Sequence, residues 1–135
     1  MLSVLTFAIV SVILVYSDLK TFHIPVDVLA AGIFLLIIEK ILYGNFFTEI
    51  LPAVYIFTVY LIIYFLLKNK FGFGDVLYSF FCGLVFNMQE VFISQITACI
   101  FGIVFMLVFS KRKIPFVPFM FAGSAFTIFF RILQK

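Results

Sequence analysis

The sequence carries six carboxylates, Asp18, Asp27, Glu39, Glu49, Asp75 and Glu90, and few other charges. Two of them are disposed to work together. Asp18 closes the first apolar run of the chain and Asp75 opens the fourth, so antiparallel packing of successive runs brings both to the same end. Two carboxylates at one depth on different helices can share one proton, because like charges at close range do not both stay ionised. The ionised member can take a proton from water. The protonated member can polarise a peptide carbonyl and then protonate the leaving amine. Such a pair titrates as a unit, and nothing in the sequence says which aspartate starts with the proton. The chemistry calls for no metal and no cofactor, and none is expected.

The remaining candidate groups have plainer roles. Asp27 stands two residues after Pro25, where an acidic group in a first helical turn favours the helix dipole. Asp75 follows Gly72-Phe73-Gly74, which also suits a helix N-cap. Asp18 meets the unfavourable end of its helix dipole, which leaves interfacial solvation as its structural alternative. Glu39 and Lys40 are adjacent, do not face each other on a helix, and are expected at an interface. His23 is the only histidine. It is expected to be a solvated loop residue, with influence on Asp18 only if its loop folds back. Cys82 and Cys99 sit inside apolar runs without CxxC spacing and read as packed or lipid-facing thiols, so no metal site is expected. Gly72 and Gly74 would let an extended substrate segment approach Asp75 closely; the alternative is a plain turn.

The elements that must position these groups follow from composition. The 135 residues are 66% hydrophobic and 11% charged, with a mean hydropathy of +1.33. Soluble domains are about 45–50% apolar and about 25% charged. A chain this short cannot bury so much apolar surface in its own core, so lipid is the expected partner. There are 22 Phe and no Trp. No linker or repeat divides the chain, and residues 1–135 are read as one domain. Apolar runs at residues 2–17, 24–43, 47–68, 74–88, 91–110 and 114–133 predict an all-α, polytopic bundle of about six transmembrane helices. The first and fourth are short enough to stop below one interface. The runs lack the alternation of barrel strands.

Lys20, then Lys68 and Lys70, then Lys111, Arg112 and Lys113 fall in the first, third and fifth connections, whereas the second and fourth hold no Lys or Arg. Basic residues favour the cytoplasmic side, which places Asp18 and Asp75 at the cytoplasmic face and both termini outside. Arg131 and Lys135 run against the pattern. The net charge of +3 is dispersed and gives no nucleic-acid footprint. The apolar N-terminus has neither the charged leader region nor the small-residue cleavage site of a signal peptide, and is expected to stay as a span.

Three local patterns carry a family resemblance. Asp18-Leu19-Lys20-Thr21-Phe22-His23-Ile24-Pro25 resembles the Asp-x5-[Ile/Leu]-Pro segment of type IV prepilin peptidases. Gly72-Phe73-Gly74-Asp75 is similar to their Gly-x-Gly-Asp motif, shared in outline with preflagellin peptidases and presenilin-like proteases. Lys113-Ile114-Pro115-Phe116-Val117-Pro118-Phe119 resembles the Ile-Pro-Phe-Gly-Pro-Phe stretch that opens their last helix. Order, spacing and expected depth agree from Asp18 to about Gly123.

The resemblance implies a membrane aspartic endopeptidase with Asp18 and Asp75 as catalytic pair, and Gly72, Gly74, Pro25, Pro115 and Pro118 as motif residues on the substrate's approach. It implies prepilin-like substrates, cleaved at the cytoplasmic face of the inner membrane after a Gly, where a short polar leader meets the hydrophobic pilin helix. Three positions depart from the family pattern: Leu77 where Lys is frequent, Val26 where Asn or Asp is frequent, and Val117 in place of Gly. They bear on substrate preference and on activity. The cysteine-rich, methyltransferase-bearing part of the large bifunctional enzymes has no counterpart here, so no methylation is expected and the chain resembles the short, peptidase-only members, including those serving Flp/tad-type pili. Oligomeric state is not legible. Two other readings compete: a non-enzymatic membrane subunit of a pilus or secretion system, and a small transporter using Asp27 and Glu39. A transporter would carry carboxylates near mid-membrane, whereas these sit towards the interfaces.

Overall fold

A computed structural model describes residues 2–43, 46–67, 72–109 and 115–133. They form six α-helices: α1 Leu2–Thr21, α2 Val26–Leu42, α3 Phe46–Leu66, α4 Phe73–Gly83, α5 Met88–Phe109 and α6 Val117–Leu133. The expected all-α class and helix count agree, and there is no strand among the described residues. α1 and α5 are long and apolar enough to cross a bilayer; the apolar stretches Ile50–Leu66 and Val117–Leu133 are shorter. The outer surface is apolar along most of its length, with Leu42, Phe47 and Leu107 among its most exposed side chains.

Two boundaries differ from expectation in ways that matter. The first run was expected to end before Asp18, yet α1 continues through Thr21, so Asp18 projects from a helix and not from a loop. The fourth was expected to reach residue 88, but α4 ends at Gly83 after 11 residues. At 1.5 Å per residue it rises only about 16 Å, against a hydrocarbon core of about 30 Å. At that end Gly83 lies close against α3, where a Cβ would fall 2.8 Å from the Ala53 backbone nitrogen. That contact needs glycine, and the chain turns there: Leu84 N–H donates to Phe80 O and Val85 N–H to Cys82 O. Leu84, Val85 and Phe86 stay buried in the turn.

The short α4 is the centre of the bundle, packed by α2, α3, α5 and α6. Phe7 of α1 meets it from the remaining side. Its ring lies 5.1 Å from Phe81, 6.3 Å from Tyr78, 5.9 Å from Phe86 and 6.5 Å from Phe121 of α6. Aromatic pairs of this kind contribute roughly 0.5–1.5 kcal/mol each beyond area burial.

Several polar side chains inside the bundle find partners across helices. Tyr78 Oη donates to Ser11 Oγ at 2.9 Å, joining α4 to α1. Tyr60 Oη donates to Gln95 Oε1 at 2.6 Å, joining α3 to α5. Ser94 and Ser124 pair at 3.0 Å between α5 and α6, where Gly123 also brings the backbones together, a Cβ there lying 2.9 Å from Ala98 N. Small residues and hydroxyl contacts are the usual means of joining helices in an apolar medium. Thr6, Thr58, Thr97 and Thr127 satisfy their hydroxyls on the carbonyl one turn back in their own helices.

The ends sort as antiparallel packing requires. The C-terminal ends of α1 and α3 lie with the N-terminal ends of α2, α4 and α6. At the other end, Arg131 Nε meets Glu90 Oε1 at 2.8 Å, and Glu90 Oε2 accepts the Asn87 N–H at 3.0 Å. Arg131, which runs against the basic-residue pattern, is therefore neutralised by a carboxylate. Of the basic residues in that pattern, Lys20 is described; Lys68, Lys70, Lys111, Arg112 and Lys113 lie outside the described residues.

Candidate active site

Asp18 occupies the last turn of α1 and is 5% exposed. Ordinarily a helix C-terminus repels a carboxylate. Here the backbone N–H of Val117, at the start of α6, acts electrostatically in favour of the charged Asp18 carboxylate. The other oxygen, Oδ2, is buried and has no hydrogen-bond partner among the described residues.

After Asp18 the chain is turned sharply. Phe22 N–H donates to Asp18 O at 2.9 Å, and Phe22 takes a positive φ of 52°, the left-handed conformation that ends many helices and that glycine usually supplies. The loop does fold back, as the influence of His23 on Asp18 would require. It is the carbonyl of His23 that engages α1, accepting from Ser17 Oγ at 3.1 Å and Thr21 Oγ1 at 3.3 Å, while the residue itself is exposed. This fold-back carries Ile24 towards α4.

α4 starts at that meeting point. Its N-cap is Gly72, with no side-chain cap bond, so the N-cap alternative for Asp75 is replaced by another role. Asp75 is the third helical residue, and its carboxylate accepts the N–H of Gly72, the backward half of a capping box. A Cβ on Gly72 would lie 3.0 Å from Asp75 Oδ2, so a side chain there would crowd the carboxylate. Gly72 has φ −74°, an ordinary value. Its glycine requirement comes from this closeness and not from the backbone angle. Gly74 faces inward: its Cβ would lie 2.6 Å from Ile24 Cδ1, 3.1 Å from Ile24 Cβ and 3.2 Å from Ile24 Cγ1. The space beside Gly74 thus belongs to the chain's own Ile24.

The three sequence patterns meet at one end of the bundle. Ile24 of the first touches Gly74 of the second, and the Val117 N–H of the third acts on the charge of Asp18 of the first. Asp18 and Asp75 stand within Coulombic reach of each other. Pro25 is the N-cap of α2, with φ −68°, one position earlier than the first helical residue. Pro115 and Pro118 flank the start of α6.

The other carboxylates stand apart. Asp27 is exposed in the first turn of α2, and Glu39 lies three turns further along the same helix in an open groove with Leu2, Thr6 and Tyr43. The side chain of Glu49 lies outside the described residues. Cys82 is buried and Cys99 exposed, matching a packed and an outward-facing thiol.

Ile24 and the Val117 N–H were not singled out from sequence. A signal for the second was present, since Pro118 has no N–H, which limits the donors that open α6. The contact of Ile24 with Gly74 joins residues far apart in the chain and has no local signature.

Comparison with curated proteins and with solved structures gives no match. A family model does match, that of the type IV leader peptidase family, over residues 5–107. The match takes in both aspartates and ends before the Pro115–Pro118 segment. The chain belongs to the type IV leader peptidase family.

Proposed function

We propose that this chain is an aspartic endopeptidase of the membrane, cleaving the leader from prepilin-like substrates with Asp18 and Asp75 as its catalytic pair. The observation that carries the reading is the meeting of the two aspartate-bearing segments at one end of the bundle, where Ile24 packs against Gly74 and Asp75 feels the charge of Asp18. Family membership supports the leader-peptidase activity.

In the reaction, the ionised aspartate takes a proton from water and the resulting hydroxide adds to the scissile carbonyl. The protonated aspartate donates to the carbonyl oxygen as the tetrahedral intermediate forms. Collapse of the intermediate breaks the C–N bond, and a proton passes to the leaving amine. Water's atoms end in the new carboxyl and amine, and the pair returns to its single shared proton. An intact substrate helix hides its amides in its own hydrogen bonds. The scissile bond must therefore lie at a frayed, extended end, the cytoplasmic one in this orientation. The apolar outer surface and the position of Lys20 beside Asp18 support a multi-span chain with the site facing the cytoplasm.

Co-expression with a prepilin, read by the mobility shift of leader removal, is the test. Asp18→Asn and Asp75→Asn should each leave the leader in place while the protein still inserts. Asp27→Asn should cleave at close to the wild-type rate, since Asp27 is exposed at a helix start. Loss of cleavage in Asp27→Asn together with retention in Asp18→Asn would show the pair to be wrong.

A further inference from the structure

The loop that closes α1 carries an exception in its backbone. Among the described residues, Phe22 is the non-glycine position with a positive φ, at 52°. Glycine is favoured at this place after a helix, because a Cβ is costly in the left-handed conformation. The strain secures no packing for the ring. Phe22 is 60% exposed and stands outside the packed core, so an aromatic side chain here adds nothing to the interior of the bundle. Strain kept where the core has no use for it points to a contact outside the chain.

The surroundings say what the ring meets. Leu5, Ile9, Val12, Tyr16 and Leu19 recur at helical spacing along α1, and all are more than half exposed. They make one apolar stripe that runs up to the loop. At its end the character changes. Lys20, Thr21 and His23 are exposed, and Lys20 Nζ lies 5.9 Å from the centre of the Tyr16 ring. An aromatic ring beside a cation at the end of an apolar stripe marks the headgroup level of a bilayer. Phe22 is an apolar ring inside that polar band. We propose that Phe22 is an interfacial anchor, its ring seated at the boundary between phospholipid headgroups and acyl chains. Lys20 supplies the charge that complements anionic headgroups beside it. The anchor bears on Asp18 through the backbone, because Phe22 N–H donates to Asp18 O at 2.9 Å. Ring and aspartate belong to one closing turn, so holding the first at a fixed depth holds the second.

The anchorage rests on the chain spanning a membrane and does not depend on Asp18 being catalytic. The chain has no Trp, so Phe22→Trp is a single reporter in the whole protein, inserted in vesicles of phosphatidylethanolamine and phosphatidylglycerol. Lipids brominated at successive depths of the acyl chain should place it roughly 5–10 Å into the headgroup–acyl boundary. Aqueous iodide should leave its emission largely unquenched. Leu19→Trp, on the exposed stripe one turn further in, should read deeper. Phe22→Gly removes ring and strain together, and should keep or raise the thermal midpoint in detergent. If Phe22→Trp fails to fold, a nitroxide on Phe22→Cys in a Cys99→Ser background gives the same depth, Cys82 being buried. It should then be more accessible to oxygen than to a water-soluble nickel complex, and the reverse counts as quenching by iodide. Quenching of Phe22→Trp by iodide and not by brominated lipid, with Leu19→Trp still quenched by lipid, overturns the anchor alone. Loss of lipid quenching at both positions removes the membrane reading and the anchor with it. Protection of Phe22→Trp from brominated lipid by a bound prepilin would show a substrate contact in its place, and also overturns the proposal. So does a fall of more than about 4 °C in the midpoint of Phe22→Gly, the sign of a ring packed in the fold.

Discussion

Gly74→Ala adds one carbon at the point where the first two motifs touch, and the structure says what it meets. The new Cβ would stand 2.6 Å from Ile24 Cδ1, 3.1 Å from Ile24 Cβ and 3.2 Å from Ile24 Cγ1. Relaxed carbon–carbon contacts lie at about 3.5–4.0 Å. Rotation about the Ile24 side chain can carry Cδ1 away, but Cβ moves only with the backbone. That backbone is tethered on one side by the His23 carbonyl on Ser17 and Thr21 and on the other by the fixed φ of Pro25.

The first turn of α4 must therefore shift by roughly half an ångström to an ångström if the contact is to relax. Overpacking costs typically 1–3 kcal/mol, partly offset by the roughly 0.5–1 kcal/mol that alanine gains over glycine within a helix. Stability should fall by about 1–2 kcal/mol. Activity should fall further, because Asp75 is the very next residue, and displacements near 1 Å at a reacting group cost about 100-fold. Ile24→Ala in the same chain removes Cδ1 and Cγ1 and leaves only the 3.1 Å contact to relieve. The double variant should regain at least about tenfold in kcat over Gly74→Ala, a coupling of about 1.4 kcal/mol. The assay is single-turnover cleavage of a purified prepilin in detergent, with thermal unfolding of each variant in parallel. Gly74→Ala within twofold of wild type, or a double variant no better than the product of the two singles, would refute the argument that this contact sets the position of Asp75.

Tyr78→Phe should destabilise the protein by about 1 kcal/mol, since it leaves Ser11 Oγ without its donor in a fully buried place; the shift in thermal midpoint in detergent is the measurement, and no shift would mean the bond contributes nothing. Cysteines introduced at Asn69 and Arg112 should react with a membrane-impermeant maleimide only after the membrane is permeabilised, because their connections carry the basic residues; labelling of both in intact cells would reverse the orientation.

What the sequence made legible was the set of parts. Composition gave an all-helical chain, and the motifs singled out Asp18, Asp75 and the prolines of the late segment. Their arrangement was hidden for physical reasons. The charge of Asp18 ends an apolar run and so points to a connection, yet α1 continues past it, a helix terminus being set by hydrogen bonds and the left-handed Phe22 as much as by hydropathy. Hydropathy extends α4 five residues past its end at Gly83, because Leu84, Val85 and Phe86 are as apolar as the helix they follow. The helix ends in a turn closed by the Leu84 and Val85 N–H groups, which hydropathy does not mark. The same holds for Gly74. A Gly-x-Gly before an aspartate suggests room for a ligand, whereas the neighbour turned out to be Ile24.

A hydrolase set in a bilayer faces a problem that a soluble one does not: it must admit water to its reacting groups without becoming a leak. The aromatic cluster around Phe7 bears on this. Phe7, Tyr78 and Phe81 are completely buried and Phe86 nearly so, and they fill the centre of the bundle one to three turns below Asp75. Their only inward-facing polar atom, the Tyr78 hydroxyl, is already committed to Ser11. Water approaching from the end that carries Asp75 meets there a floor of packed rings whose one hydroxyl is already bonded. With such a floor, α4 can be short: what a full-length helix would have sealed by its length, four rings seal by their volume.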